Sequence, residues 1–89
     1  MDCAAVLKVL ADDTRLRIVE TLMDGPMHVH EINARVKVAQ NLLSHHLRVL
    51  REAKLVSSHR DGKAVRYTLV AKDKRKRAID LGCCRLSFT

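Results

Sequence analysis

Aromatic side chains are nearly missing from this chain of 89 residues, which has one Tyr, one Phe and no Trp. Proteins that grip single-stranded nucleic acid stack bases on exposed rings, so that partner class is disfavoured. No apolar run approaches the ~18–20 residues of a membrane-spanning helix, and no membrane partner is expected. No Gly-rich phosphate loop occurs, no cysteine has a nearby base in sequence, and Ser44-His45 lacks an evident orienting acid, all of which argue against an enzyme. Asp2 follows the initiator and Lys8 interrupts the first apolar stretch, so a secretory-leader pattern is absent. Cysteines number three, an odd count without the paired framework of a secreted mini-protein. A reducing cytoplasm is the expected setting, where cysteines serve as thiols, metal ligands or redox switches.

What is present is a globular composition, 47% hydrophobic and 30% charged, with a net charge of +7. The length suits one small domain spanning residues 1–89, without internal repeat or linker. Such a chain buries a limited core and often gains stability by pairing with a second copy. The positive excess favours a polyanionic partner.

Read in order, residues 2–10 (DCAAVLKVL) form a short, largely apolar helix. Asp12 is positioned as N-cap of a second helix from Asp13 to about Asp24, with Leu16, Val19, Leu22 and Met23 as its inner stripe. Gly25-Pro26 ends it. A third helix runs from His28–Val29 to about Val36, with Glu31 as the acidic half of a capping box. Lys37–Ala39 turns into a fourth helix that begins near Gln40. From Leu55 the period becomes alternating: 55–60 is a strand, Asp61-Gly62 a two-residue turn, and 63–69 the return strand, with Val65, Tyr67 and Leu69 facing inward. Residues 71–81 (AKDKRKRAIDL) are expected to form a last helix despite the basic run Lys72–Arg77, which reads as a solvated face or a grip on flanking phosphate.

The fourth helix carries the functional argument. Leu42, Leu43, His46, Leu47, Val49, Leu50 and Ala53 share one arc, with His46 expected as a core histidine satisfied by a neighbour. Gln40, Asn41, Ser44, His45, Arg48 and Arg51 share the other. That second arc has no acid before Glu52, and its amide, hydroxyl, imidazole and guanidinium groups are those that read base edges and hold phosphates. An isolated polar arc is also what any solvated helix presents. The tight turn before it and the hairpin after it make a helix-turn-helix (about 28–53) with a wing (about 55–69). The fold class is therefore mainly α with a small β-hairpin, a winged helix-turn-helix in the order α-α-α-α-β-β-α. Gln40, Asn41, Ser44, His45 and Arg48 are the candidate major-groove contacts, and Arg60, Lys63 and Arg66 the candidate wing contacts.

LADDTRLRIVETL, SHHLRVLREAKLV and RDGKAVRYTL, in that order, resemble the second helix, recognition helix and wing of the ArsR/SmtB family of bacterial winged-helix repressors that sense metals or metalloids. The likeness covers roughly residues 6–70. It departs at Asp13, where proline is commonest, and at Lys54, where glycine is common. The resemblance implies a cytoplasmic homodimer joined through its first and last helices. It further implies binding to double-stranded operator DNA and release when an inducer binds.

Two inducer sites compete. If the first and last helices pack together, Cys3 can approach the vicinal pair Cys83-Cys84, in cis or across the dimer. Three thiolates suit a soft ion such as As(III), Sb(III), Cd(II) or Pb(II), and the resemblance favours three-coordinate As(III). The same residues serve a thiol redox switch in which Cys3 forms a disulfide with Cys83 or Cys84. The alternative is His28-Val29-His30-Glu31-Ile32, which aligns with the family's Cys-Val-Cys-Asp-Leu box. Imidazoles favour Zn(II), Ni(II) or Co(II), but residues two apart on a helix point ~200° apart, and two histidines fall short of a four-ligand zinc site. No His follows His59, so the family's interfacial zinc pattern in the last helix is missing. No obligatory cofactor is expected.

Overall fold

The computed structural model describes residues 2–73 and 75–88. Four helices come first or flank a short strand: α1 Cys3–Leu10, α2 Asp13–Leu22, α3 Val29–Val36 and α4 Gln40–Glu52. The strands are β1 Met27–His28, β2 Val56–Asp61, β3 Ala64–Leu69, β4 Ala78–Asp80 and β5 Arg85–Ser87. Among the described residues, no helix is long and apolar enough to cross a membrane.

Local chemistry sets the helix ends. Asp2 Oδ1 accepts the Ala5 N–H at 2.8 Å, and Asp12 Oδ1 accepts the Arg15 N–H at 3.0 Å. These two carboxylates start α1 and α2, where orphan donors and the positive helix end favour them. That backbone hydrogen bond, with further help from the nearby charges of His46 and Arg15, holds the Asp12 carboxyl below its ordinary range against a desolvation cost. Between α3 and α4, Lys37 adopts a left-handed backbone (φ 58°). The Asn33 amide clamps this turn, donating to the Val38 carbonyl and accepting the Val38 N–H, both at 3.0 Å. Arg17 Nη2 donates to the Val36 carbonyl at 2.8 Å, satisfying an orphan acceptor at the end of α3.

The exit from α4 is equally specific. Leu55 N–H reaches back to the Leu50 carbonyl at 3.0 Å and Lys54 N–H to the Arg51 carbonyl at 2.9 Å. This is a Schellman closure, which needs a left-handed residue, and Lys54 supplies it with φ 63°. The position where the resemblance led us to expect glycine is thus one where a side chain is strained.

The core is one cluster. Ile18, Val19 and Leu22 of α2, Ile32 and Val36 of α3, and Leu43, Leu47 and Leu50 of α4 are fully buried and meet Val56, Leu69 and Ile79 from the strands. Ile18 joins the expected stripe of α2. On α4, Leu42 departs from the expected apolar arc and stands 43% exposed.

The wing gains a third strand. The sheet order is β1-β3-β2, all antiparallel, with Met27 opposite Tyr67 and His28 opposite Arg66. Two residues carry no periodicity, so β1 was invisible in the sequence. Asp61 pairs with Ala64, which leaves Gly62-Lys63 as the hairpin loop, one residue later than expected. Gly62 takes the positive φ (66°) that such a loop requires.

The expected last helix over 71–81 is not formed, and this corrects both the terminal α of the predicted order and the assignment of that helix to dimerisation. The segment instead runs through a bridge between Lys72 and Ile79 into β4, which pairs with β5 as a second two-stranded sheet. A helix here would stack cations at i,i+3 and i,i+4 with only Asp73 and Asp80 to offset them. Extended, the cations disperse: Arg77 Nη1 reaches Asp24 at 3.0 Å, Arg85 pairs with Asp73, and Ala78 and Ile79 enter the core. The Arg35 and Arg77 guanidinium groups hold the Asp24 carboxyl below its ordinary range. Lys74 of the basic run lies outside the described residues.

His46 is the core histidine that the pattern implied. It is 6% exposed, and its Nδ1 accepts from Arg15 Nε at 3.0 Å. Burial pushes its pKa down, with Arg15 and His45 adding to the effect and Asp12 opposing it.

Two stability outcomes follow. Lys54→Gly relieves the left-handed strain and is expected to raise unfolding stability by about 0.5–1 kcal/mol in urea titrations. The folded-state pKa of His46 lies below its unfolded value, so below about pH 6.5 the unfolded chain binds more protons and stability falls as pH falls. The urea midpoint should therefore drop between about pH 7.5 and about pH 5.5, and His46→Asn should flatten that dependence. An equal drop in the variant assigns it elsewhere.

Candidate DNA interface and thiol cluster

Helix α4 projects from the core with its buried arc fixed, so the opposite arc faces outward. Gln40, Asn41, Ser44, His45 and Arg48 are all exposed there, and Arg60, Lys63 and Arg66 are exposed on the wing. Helix α4 has no N-cap side chain and no acid in its first turn, and of its first-turn amides the Leu42 N–H is taken by Asn41.

The arc and the wing enclose a shallow groove of about 500 Å³ lined by Asn41, Ser44, His45, Arg48, Arg51 and Tyr67. Arg48 Nη2 lies 3.5 Å from His45 Nδ1, and its Nε lies 4.0 Å from Glu52. The Asn41 carbonyl oxygen accepts the Leu42 N–H at 2.9 Å, so its amide N–H groups remain available. Gln40 stands apart from this group. It borders a separate cleft of about 490 Å³ with His28, Val29, His30, Asn33, Ala34, Ala64 and Val65.

Arg51 and Tyr67 were not among the candidate contacts. Arg51 shares the polar arc, which was the available signal. Tyr67 was expected to face inward, and it is half-buried at the groove wall because β3 lies between β1 and β2.

The histidine box is used locally. His28 caps α3, and Glu31 Oε1 accepts its backbone N–H at 2.9 Å. The His28 ring nitrogens lie 2.9 Å from Glu31 and 3.2 Å from Asp61 at the end of β2. The His30 ring stacks on it with centroids 5.7 Å apart. Both His28 nitrogens are thus occupied by carboxylates.

The cysteines do meet. Residues 83 and 84 lie in the turn between β4 and β5, and Cys3 opens α1. The three sulfurs lie within 4.8 Å of one another in a single chain, the one cluster of three or more such ligand atoms among the described residues. Cys3 and Cys83 are disulfide-bonded, and the free Cys84 thiol lies 4.0 Å from Cys3 Sγ. In the bonded state two of the three donors are spent. Two electrons and two protons restore a trio of thiols within reach of one soft ion.

The profile described as "Bacterial regulatory protein, arsR family" matches residues 12–58. The chain is 40% identical over 79 residues to a biofilm growth-associated repressor of Agrobacterium fabrum, an alignment covering 89% of this chain and 67% of that protein. It is 36% identical over 70 residues to a CadC homolog of Staphylococcus aureus, described as a cadmium resistance transcriptional regulatory protein, covering 78% of this chain and 58% of that one. Among solved structures it is similar to the homodimeric winged helix-turn-helix DNA-binding domain of Mb0332 from Mycobacterium bovis (TM-score 0.70, 30% identity, 74% of this chain and 61% of that one). With helix-turn-helix, wing and sequence likeness in agreement, the chain belongs to the ArsR family of DNA-binding bacterial transcriptional regulators.

Proposed function

We propose that this chain is one subunit of a homodimeric repressor that leaves its operator when a thiophilic metal or metalloid, As(III) or Sb(III) before others, binds Cys3, Cys83 and Cys84. The observation that carries this reading is the convergence of three sulfurs from the two ends of the chain within 4.8 Å. Soft thiolates select soft ions, and among the described residues no histidine or carboxylate joins the three sulfurs to complete a four-coordinate zinc site. Dimerisation would cover apolar surface that this fold leaves open, including Leu7 of α1 (41% exposed) and Val70 (56% exposed).

In this reading the α4 arc enters the major groove. Asn41 and Gln40 suit adenine, Arg48 suits guanine or phosphate, and Arg60, Lys63 and Arg66 hold the backbone or minor groove beside it. Ser44, His45, Arg51 and Tyr67 line the protein groove beside Asn41 and Arg48.

A second reading is favoured by the Cys3–Cys83 bond itself. Here the inducing signal is oxidation: the two thiols give two electrons and two protons to hydrogen peroxide, forming the disulfide and two waters. Cys84 separates the readings, because it is a third ligand for a metalloid but not a partner in that bond.

Operator gel shifts with arsenite, Cd(II), Zn(II) and peroxide test both on the native chain, Cys3→Ser and Cys84→Ser. The metalloid reading expects arsenite under reducing conditions to weaken binding by roughly 5–150-fold, and both variants to lose that response. Release that requires oxidant, ignores arsenite and survives Cys84→Ser overturns it in favour of the redox switch. For the DNA surface, Arg48→Ala should cost about 1–3 kcal/mol on the cognate operator by fluorescence anisotropy. Lys63→Ala should weaken all sequences alike and reduce the slope of log K against log salt by about 0.9 per contact. Unchanged affinity in both variants would remove these residues from the interface.

A further inference from the structure

Arg15 is the one residue whose side chain hydrogen-bonds both α1 and α4 among the described residues, and no direct hydrogen bond joins those two helices. Its Nη1 donates to the Val9 carbonyl in the last turn of α1 at 2.9 Å. Its Nε donates to His46 Nδ1, on the buried arc of α4, at 3.0 Å. Its own backbone is pinned by the Asp12 carboxylate at the start of α2. The Val9 carbonyl is among those a helix end leaves without an internal partner, and a guanidinium is the cation that the negative end of α1 favours. His46 in turn is flanked by His45, with Ser44 and Arg48 two residues away on either side, all three on the candidate reading arc.

Cys3 sits at the opposite end of the same eight-residue helix. A helix of that length is a stiff rod of roughly 12 Å. Any adjustment of α1 that accompanies a change at the sulfur cluster is carried to Val9, where one planar fork holds the carbonyl and the imidazole together. Guanidinium donors keep fixed mutual angles, and hydrogen bonds weaken steeply when misaligned. When Val9 shifts, Arg15 therefore either releases the carbonyl or pulls on His46.

We propose that Arg15 is a positioning residue that couples the state of the Cys3–Cys83–Cys84 cluster to the orientation of α4, with His46 as its receiver. This rests on the sensor reading above. It assigns Arg15 no contact with DNA or inducer.

The test measures the ratio of operator dissociation constants with and without arsenite, and with and without peroxide, on the full chain. Arg15→Lys keeps the charge but not the fork. His46→Leu removes the acceptor, while His46→Asn places an amide oxygen near the Nδ1 position. Arg15→Lys and His46→Leu are expected to bind the operator within about threefold of native when reduced, and to load arsenite or form the disulfide as before. Their response ratio should collapse to below about twofold, while His46→Asn retains it. A purely structural role would lower thermal stability without separating the response from operator binding. A native-sized ratio in Arg15→Lys and His46→Leu overturns the proposal. If those variants do not fold, nitrogen-15 spectra of the native chain decide: the Arg15 Nε–H and His46 ring signals must move on loading the cluster, and unmoved signals overturn the coupling. A native ratio of one with both arsenite and peroxide overturns the sensor reading itself, and this inference with it.

Discussion

The burial of Leu43, Leu47 and Leu50 against α2, α3 and the wing is the interaction on which the rest of the structure depends. Each of these leucines is worth about 1.5–3 kcal/mol of transfer free energy, so together they match a large share of a small domain's net stability. Turning α4 by one residue, ~100°, would expose them and bury Arg48 or Ser44 instead. The rotation of the helix about its own axis is therefore fixed by its apolar side. Which arc faces outward follows from that alone, while the tilt of the rod against its neighbours is left for contacts such as Arg15–His46 to trim. The clamped turn at Asn33 and the Schellman closure at Lys54 then fix where this rod begins and ends.

The parts of the fold legible in the sequence are those with strong local signals. Helix α4 repeats its apolar positions over more than three turns, Asp12 caps α2 as expected, and His46 on the apolar side could be read as a satisfied core group. Leu42 failed because it sits at the margin of the buried arc, where periodicity cannot say whether a neighbour covers it. The hairpin loop shifted by one residue because Asp61-Gly62 and Gly62-Lys63 both offer Gly62 for the positive φ, and the pairing of Asp61 with Ala64 decides between them. Strand β1 and the groove wall at Tyr67 arise from pairing between residues about forty apart, which no local window contains.

The last segment failed for a different reason. Residues 71–81 have the Ala, Lys and Arg content of a good helix, and intrinsic preference favours one. Arg77 instead finds its partner outside the segment at Asp24, Asp73 is taken by Arg85 from beyond it, and the backbone hydrogen-bonds as β4 and β5. Burial of Ala78 and Ile79 and pairing with β5 accompany the loss of the locally preferred helix. The cysteines nevertheless meet, because a turn between short strands brings Cys83 and Cys84 to the start of α1. The juxtaposition of the two chain ends was expected through helix packing and is achieved through a hairpin.

That juxtaposition has a thermodynamic consequence common to both readings of the cluster. A cross-link between residues 80 apart in sequence removes roughly 4–5 kcal/mol of loop-closure freedom from the unfolded chain. A metalloid held by thiolates from both ends closes the same loop through sulfur–ion bonds in place of the sulfur–sulfur bond. In either reading the loaded or oxidised cluster would tie α1 to the β4–β5 turn, and the reduced, empty cluster would lack that tie. Closure alone does not move DNA off the protein. It does so only if the tied shape is worse for the operator than the untied one, since a signal shifts an equilibrium by no more than its preference between the two states. The only hydrogen-bonded bridge from α1 to α4 among the described residues runs through Arg15, which is why the proposed coupling is assigned to it. If the sulfurs choose the signal, the proposed Arg15 fork, which holds two helices at once, is what would set its effect.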